Sequence, residues 1–291
     1  MPVSKQTLNV GGIAVHVYST PSATDASAPV SVLFFLHGRT GSAQDSEWVA
    51  ESTLGWIDEQ RKASGKSAED LLIVTFDQRN HGARVVDLHS NSGWREQPPA
   101  KNDRHALILT LLPQAGTARD VSFLIDFLPS YLYPSGERTV SSWLIGGISL
   151  GGHSTWYALR NEPRITLGVP IIGCPDYTAL MSERAGLNGI PWEPPYIPRS
   201  LLDLIERYDP AAASYTVPDA SNPFLGKKIL VLSGGDDKLV PWSASKAFVD
   251  SLNVGLGGVK EVIVAPGVGH KCTREMVQAM SRFIWTEALT Q

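Results

Sequence analysis

Residues 140–152 read VSSWLIGGISLGG, and this stretch decides the fold. A short apolar segment runs into GISLG at residues 147–151, and a stretch with helical character follows. The G-x-S-x-G pattern predicts a strand, a sharp turn and a helix, with the serine hydroxyl exposed at the turn. Such a turn strains the backbone of the serine, and it requires small residues two positions before and two positions after it. Gly147 and Gly151 occupy these positions. We therefore predict that Ser149 stands at the end of a buried strand, over the positive end of a helix.

Two later segments also consist of an apolar strand followed by a polar loop. Residues 228–241 read KILVLSGGDDKLVP, and residues 260–270 read KEVIVAPGVGH. The first loop carries Asp237, which we favour as an acid partner of the serine, with Asp236 as the alternative. The second loop carries His270. Parallel strands bring their C-terminal ends to one edge of a sheet, so these loops are expected to meet the serine turn.

Ser149, His270 and Asp237 have complementary chemistry. A serine hydroxyl is a poor nucleophile near neutral pH, and an imidazole can accept its proton and return it to a leaving group. A buried carboxylate then fixes the imidazole tautomer and stabilises its cation. The residue types and their order therefore predict nucleophilic catalysis by Ser149.

The strand predicted at residues 30–36, VSVLFFL, ends in HGRTG at residues 37–41. Its continuous apolar run is typical of a parallel strand that is buried on both faces. The glycine after the histidine lets the chain bend so that a backbone N–H points inward. We expect an oxyanion hole formed by the N–H of Leu150 and that of Arg39, with Thr40 as the alternative to Arg39.

The same loop is expected to border the substrate through His37, Gly38 and Thr40. The Arg39 side chain has two interpretations: its guanidinium binds a substrate carboxylate, or it faces solvent or an internal ion pair.

These motifs resemble the α/β-hydrolase superfamily in its serine esterase and peptidase-like branch. The resemblance rests on HGRTG, GISLG, GGDDKLVP…GVGH and the DQRNHG turn at residues 77–82, and it covers the chain from residue 30 almost to its end. It implies an α/β fold with a mostly parallel eight-stranded sheet, helices on both faces and a small cap insertion. In the DQRNHG turn it implies loop-stabilising rather than catalytic roles for Asp77, Arg79 and His81.

The expected domain organisation is a core of residues 1–175 and 223–291 with a cap of residues 176–222. Apolar periodicity breaks down in the cap, which contains the proline-rich PWEPPY. There, Trp192 and Tyr196 either line the acyl pocket or hold the cap against the core.

Composition excludes several classes of function. The 291 residues are 43% hydrophobic and 19% charged, with a net charge of −4, and no basic stretch suggests a nucleic-acid partner.

We find no ligand-spaced His/Cys cluster, so no metal and no cofactor is implied. The two cysteines, Cys174 and Cys272, are expected to be reduced thiols. With no apolar leader and no membrane-length apolar run, we expect a cytoplasmic protein without a membrane partner.

The sequence thus predicts a cofactor-free, carboxylesterase-like serine hydrolase for a small to medium ester. Three alternatives remain: a peptidase or amidase, a thioesterase, and a non-catalytic receptor on the same fold. The expected partner is a small-molecule ester, a thioester or a short peptide, and the oligomeric state is not encoded.

Overall fold

The computed structural model describes residues 3–21, 27–94 and 112–290, and within these residues eight strands form one sheet. The sheet has the order β1-β2-β4-β3-β5-β6-β7-β8. β1 and β2 form a hairpin, β2 pairs antiparallel with β4, and every later pairing is parallel. The strands are β1 Ser4–Val10, β2 Ile13–Ser19, β3 Val30–Leu36, β4 Asp70–Phe76, β5 Val140–Ile148, β6 Ile165–Ile171, β7 Lys228–Gly234 and β8 Val259–Ala265.

Helices cover both faces of this sheet. One face packs against α2, α3 and α6, and the other packs against α1 and α7. The predicted mostly parallel sheet with helices on both sides is therefore confirmed. The helices are α1 Glu47–Ser64, α2 Leu112–Leu132, α3 Leu150–Asn161, α4 Tyr177–Leu187, α5 Arg199–Tyr208, α6 Trp242–Ser251 and α7 Arg274–Ile284.

The central strand β3 shows why the sheet needs both layers. All seven of its residues are buried. Val32 and Phe34 belong to the core on one face, whereas Leu33 and Phe35 belong to the core on the other. Side chains alternate between the faces of a strand, so an apolar run without polar interruptions requires a hydrophobic layer on each side.

The segment 176–222, predicted to form a cap, contains α4 and α5 and lies between β6 and β7 along the chain. The boundary between core and cap stays a prediction. The long polar segment at residues 86–112 lies largely outside the described residues. No helix in the described part of the chain is both long enough and apolar enough to cross a bilayer.

Candidate active site

Ser149 occupies the sharp turn between β5 and α3. Its backbone has φ 56° and ψ −110°, a left-handed conformation that costs a non-glycine residue about 1–3 kcal/mol. Two backbone hydrogen bonds hold the turn: the Ser149 N–H donates to Ile171 O at 2.9 Å, and the Gly151 N–H donates to His37 O at 3.1 Å. The strained turn is therefore held by the end of β6 and by the loop that follows β3.

We predict that Gly147→Ala disrupts this turn. A Cβ at residue 147 would lie 2.6 Å from the carbonyl carbon and oxygen of Gly151, which are backbone atoms that cannot move alone. We expect the free energy of unfolding to fall by about 1–3 kcal/mol, as for other overpacked sites. Urea unfolding measures the change.

Gly55→Ala is a matched control, because a Cβ at this glycine of α1 would have no atom within 4 Å. Its stability should be unchanged or rise by up to about 1 kcal/mol, since alanine favours a helix over glycine. Equal losses in both variants would contradict the steric argument.

A chain of two hydrogen bonds joins three side chains that are far apart in the sequence. The Ser149 hydroxyl lies 2.9 Å from Nε2 of His270, and Nδ1 of His270 lies 2.7 Å from Oδ2 of Asp237. A carboxylate can only accept, so the Nδ1 proton points to Asp237 and leaves Nε2 free to accept the serine proton. The three side chains are therefore arranged for proton transfer from serine to histidine.

Asp237 accepts two hydrogen bonds besides the one from His270. Its other carboxylate oxygen accepts the N–H groups of Leu239 and Val240, each at 2.9 Å. Burial by itself would raise the pKa of this carboxyl. The hydrogen bonds from His270 and from the two backbone groups outweigh burial and hold the pKa below its ordinary value. The alternative acid, Asp236, is exposed.

The loop after β3 approaches the serine closely. A Cβ added to Gly38 would lie 3.7 Å from the Cβ of Ser149, which is van der Waals contact. Leu150 is the first residue of α3, where a helix N–H has no acceptor within the helix. The structure thus brings the Leu150 backbone and the loop that carries Arg39 to the same side of Ser149.

His37, expected to border the substrate, has both ring nitrogens bound within the protein. The ring is buried; Nδ1 donates to Gly38 O at 2.7 Å, and Nε2 accepts the Gln78 N–H at 3.0 Å. Burial lowers the pKa of His37 to about 4, so the ring is neutral near pH 7. Both ring nitrogens are engaged within the protein, so the ring supports the loop, and its contact with substrate stays a prediction. Thr40 is exposed, and its hydroxyl donates to Arg39 O at 2.6 Å.

The DQRNHG turn makes internal contacts, as the resemblance implies. Asp77 accepts the N–H groups of Ala43 and Ala83, each at 2.7 Å. Arg79 pairs with Asp120 at 2.8 Å, and His81 Nδ1 donates to Arg79 O at 2.9 Å. These bonds tie two loops and α2 together.

A small pocket opens beside Ser149, and sequence reasoning missed an important part of it. Besides Ser149, Leu150 and Arg39, its described lining includes Arg184 of α4, His153, Leu239 and Val240. The sequence does not indicate that Arg184 lies in the pocket, because a single arginine in a segment without clear periodicity has no recognisable pattern. His153 Nδ1 accepts the Cys174 N–H at 2.8 Å.

Trp192 and Tyr196 are not among the described residues that line this pocket. Both are partly buried and pack against the hydrophobic core on the face covered by α2, α3 and α6. Their position fits the alternative that they hold their segment against the core. The expectation that they line the acyl pocket stays a prediction.

The two cysteines are the remaining candidate nucleophiles. Cys174 and Cys272 are free thiols, and burial raises the pKa of each to about 12. Among the described residues, no group of three or more histidine, cysteine, aspartate or glutamate side chains could hold a metal ion.

Comparison with solved structures agrees with this architecture. TT1662 from Thermus thermophilus superposes with a TM-score of 0.65 at 19% identity, covering 99% of this chain and 100% of that one. An esterase from an Arctic intertidal metagenomic library has a TM-score of 0.51 at 17% identity, with 98% and 93% covered. An acylaminoacyl peptidase from Pyrococcus horikoshii has a TM-score of 0.57 at 13% identity; it matches 100% of this chain, which spans 42% of the peptidase.

No family model matches the sequence, and no curated protein matches it either. At these identities the structural likeness concerns the fold. The chain has the α/β-hydrolase fold.

Proposed function

We propose that this chain is a cofactor-free serine hydrolase that cleaves a carboxylic ester through an acyl-enzyme. The observation that carries the proposal is the hydrogen-bond chain from Ser149 through His270 to Asp237, with distances of 2.9 Å and 2.7 Å. A buried, well-anchored carboxylate and a strained serine turn support it, because both are features of acyl-transfer sites.

The geometry suggests the following steps. Nε2 of His270 removes the hydroxyl proton as Ser149 Oγ attacks the carbonyl carbon, and the carbonyl oxygen becomes an oxyanion. The backbone N–H groups of Leu150 and Arg39 donate hydrogen bonds to that oxyanion. The imidazolium, stabilised by Asp237, then gives its proton to the departing alkoxide as the ester C–O bond breaks.

Water completes the reaction by reversing these roles. His270 takes a proton from water, the hydroxide attacks the acyl carbon, and the second tetrahedral intermediate expels Ser149 Oγ. The histidine returns the proton to the serine, and the carboxylic acid leaves. The net change is one ester and one water converted to one acid and one alcohol.

A peptidase is the second candidate, because one structural neighbour is an acylaminoacyl peptidase while another is an esterase. The proton transfers are the same for an amide, with an amine as leaving group. A panel of p-nitrophenyl esters, thioesters and acylaminoacyl anilides, compared by kcat/KM, decides between the candidates.

Fluorophosphonate labelling separates all of these enzymes from a binding protein on the same fold. We expect the probe to modify Ser149, located by peptide mass spectrometry, because the same activated hydroxyl attacks phosphorus and displaces fluoride to form a phosphonate ester. A protein that neither reacts with the probe nor cleaves any substrate of the panel would overturn the proposal.

A further inference from the structure

Two arginines reach the pocket beside Ser149 from different parts of the fold. Arg39 belongs to the loop after β3, and Arg184 belongs to the last turn of α4. The rest of the described lining includes the apolar side chains of Leu150, Leu239 and Val240. Both arginines are partly buried, and an ion pair formed at a partly buried cation is stronger than one formed in bulk water.

Arg184 is anchored but not neutralised. One Nη2 N–H donates to Leu239 O at 2.6 Å, which ties α4 to the loop that carries Asp237. Within residues 3–21, 27–94 and 112–290, Arg184 forms no ion pair with a carboxylate and makes no second side-chain hydrogen bond. A guanidinium has five N–H donors, so most of those on Arg184 remain available.

The electrostatics favour an anion at this position. Burial lowers the pKa of Arg184, and the nearby positive charge of Arg39 lowers it further. Arginine nonetheless stays charged at neutral pH, so the pocket holds two like charges that repel each other. The Asp237 carboxylate attracts Arg184 through space, but its oxygens are hydrogen-bonded to His270 and to two backbone N–H groups, and it forms no ion pair with Arg184.

We infer that Arg184, with Arg39 beside it, binds a carboxylate on the substrate, so that the preferred ester is anionic. The inference rests on the proposed serine-hydrolase function. A planar guanidinium matches a carboxylate with two parallel hydrogen bonds, and Arg184 is fixed by Leu239 before the substrate arrives. Little side-chain entropy is then lost on binding.

Two matched substrate pairs test the inference and locate the charge. p-Nitrophenyl hydrogen adipate against its methyl ester places the carboxylate on the acyl side. 4-Acetoxybenzoate against phenyl acetate places it on the leaving-group side. We expect the wild-type protein to prefer the anionic member of at least one pair, after subtraction of the spontaneous rate.

Arg184→Met keeps the length of the side chain and removes its charge. The anionic-to-neutral ratio of kcat/KM should fall about 10- to 100-fold in this variant, the range for losing hydrogen bonds between charged groups. The loss should lie mainly in KM. Arg184→Lys should restore part of the ratio, because it returns the charge without the planar fork.

Arg199→Met is the matched control. Arg199 is an exposed residue of α5, outside the described lining of the pocket, and its replacement removes the same charge from the same segment. We expect its ratio to equal that of the wild type. Thermal unfolding and turnover of the neutral esters show that each variant is folded.

Failure of the inference differs from failure of the proposed function. A wild-type protein that cleaves esters but prefers the neutral member of both pairs, or keeps its ratio in Arg184→Met, would overturn the inference alone. A protein that cleaves no ester and resists the fluorophosphonate would overturn both.

Discussion

Replacing Ser149 with alanine should lower kcat on a p-nitrophenyl ester by at least about 10⁴-fold, because the attacking oxygen is removed while the rest of the site stays in place. Loss of the nucleophile leaves only the oxyanion donors and substrate binding to accelerate attack by water. By the usual conversion, about 10⁴-fold corresponds to about 5.5 kcal/mol of activation free energy. Steady-state turnover and fluorophosphonate labelling measure the effect.

Ser141→Ala is the control for this variant. Ser141 lies at the other end of the same strand, β5, where it is exposed and its hydroxyl donates to Glu69 at 2.5 Å. Its removal should change stability by about 0.5 kcal/mol or less and leave turnover unchanged. An Ser149→Ala protein that keeps its wild-type rate would remove Ser149 from the mechanism.

The features that could be predicted from sequence are those set by local chain geometry. The apolar run of β3 required a layer on each face, and the structure has both. Residues 149, 237 and 270 each follow a strand, and parallel strands end at one edge of the sheet, so three distant loops were expected to meet. No knowledge of side-chain packing was needed for either prediction.

The features that could not be predicted depend on how deeply a side chain is buried and on contacts between elements that are far apart in the sequence. The sequence places His37 beside a glycine in a loop, but the N–H that its buried ring accepts comes from Gln78 of a neighbouring loop. Arg184 lines the pocket, and its guanidinium is held there by a hydrogen bond to Leu239 O. A single arginine has no periodicity or spacing that encodes such a contact, so only the structure reveals the second cation.

The same distinction applies to Trp192 and Tyr196. A proline-rich segment with two aromatic residues is compatible with lining a pocket and with packing on a core. Which arrangement forms depends on how much apolar surface each one buries, and the local sequence does not determine that area. In the structure both rings pack on the core, which leaves the apolar part of the pocket at Ser149 to Leu150, Leu239 and Val240.

Asp237→Asn should reduce kcat by about 10⁴-fold, the size of effect produced by a wrong histidine tautomer. The single amide oxygen would still be needed by the N–H groups of Leu239 and Val240, so the NH₂ group would face His270. An NH₂ group can only donate, so Nδ1 of His270 would have to accept, and its proton would move to Nε2. The histidine would then present a proton to Ser149 instead of a lone pair.

Asp236→Asn separates the two adjacent carboxylates. Asp236 is exposed, so its replacement should leave kcat within about twofold of the wild-type value, as expected for a surface change. Both variants carry the same change of charge at neighbouring positions, so a general electrostatic effect would appear in both. The opposite result, with Asp236→Asn inactive and Asp237→Asn active, would contradict the assignment, because the hydrogen bond of 2.7 Å between Asp237 and His270 would then have no part in proton transfer.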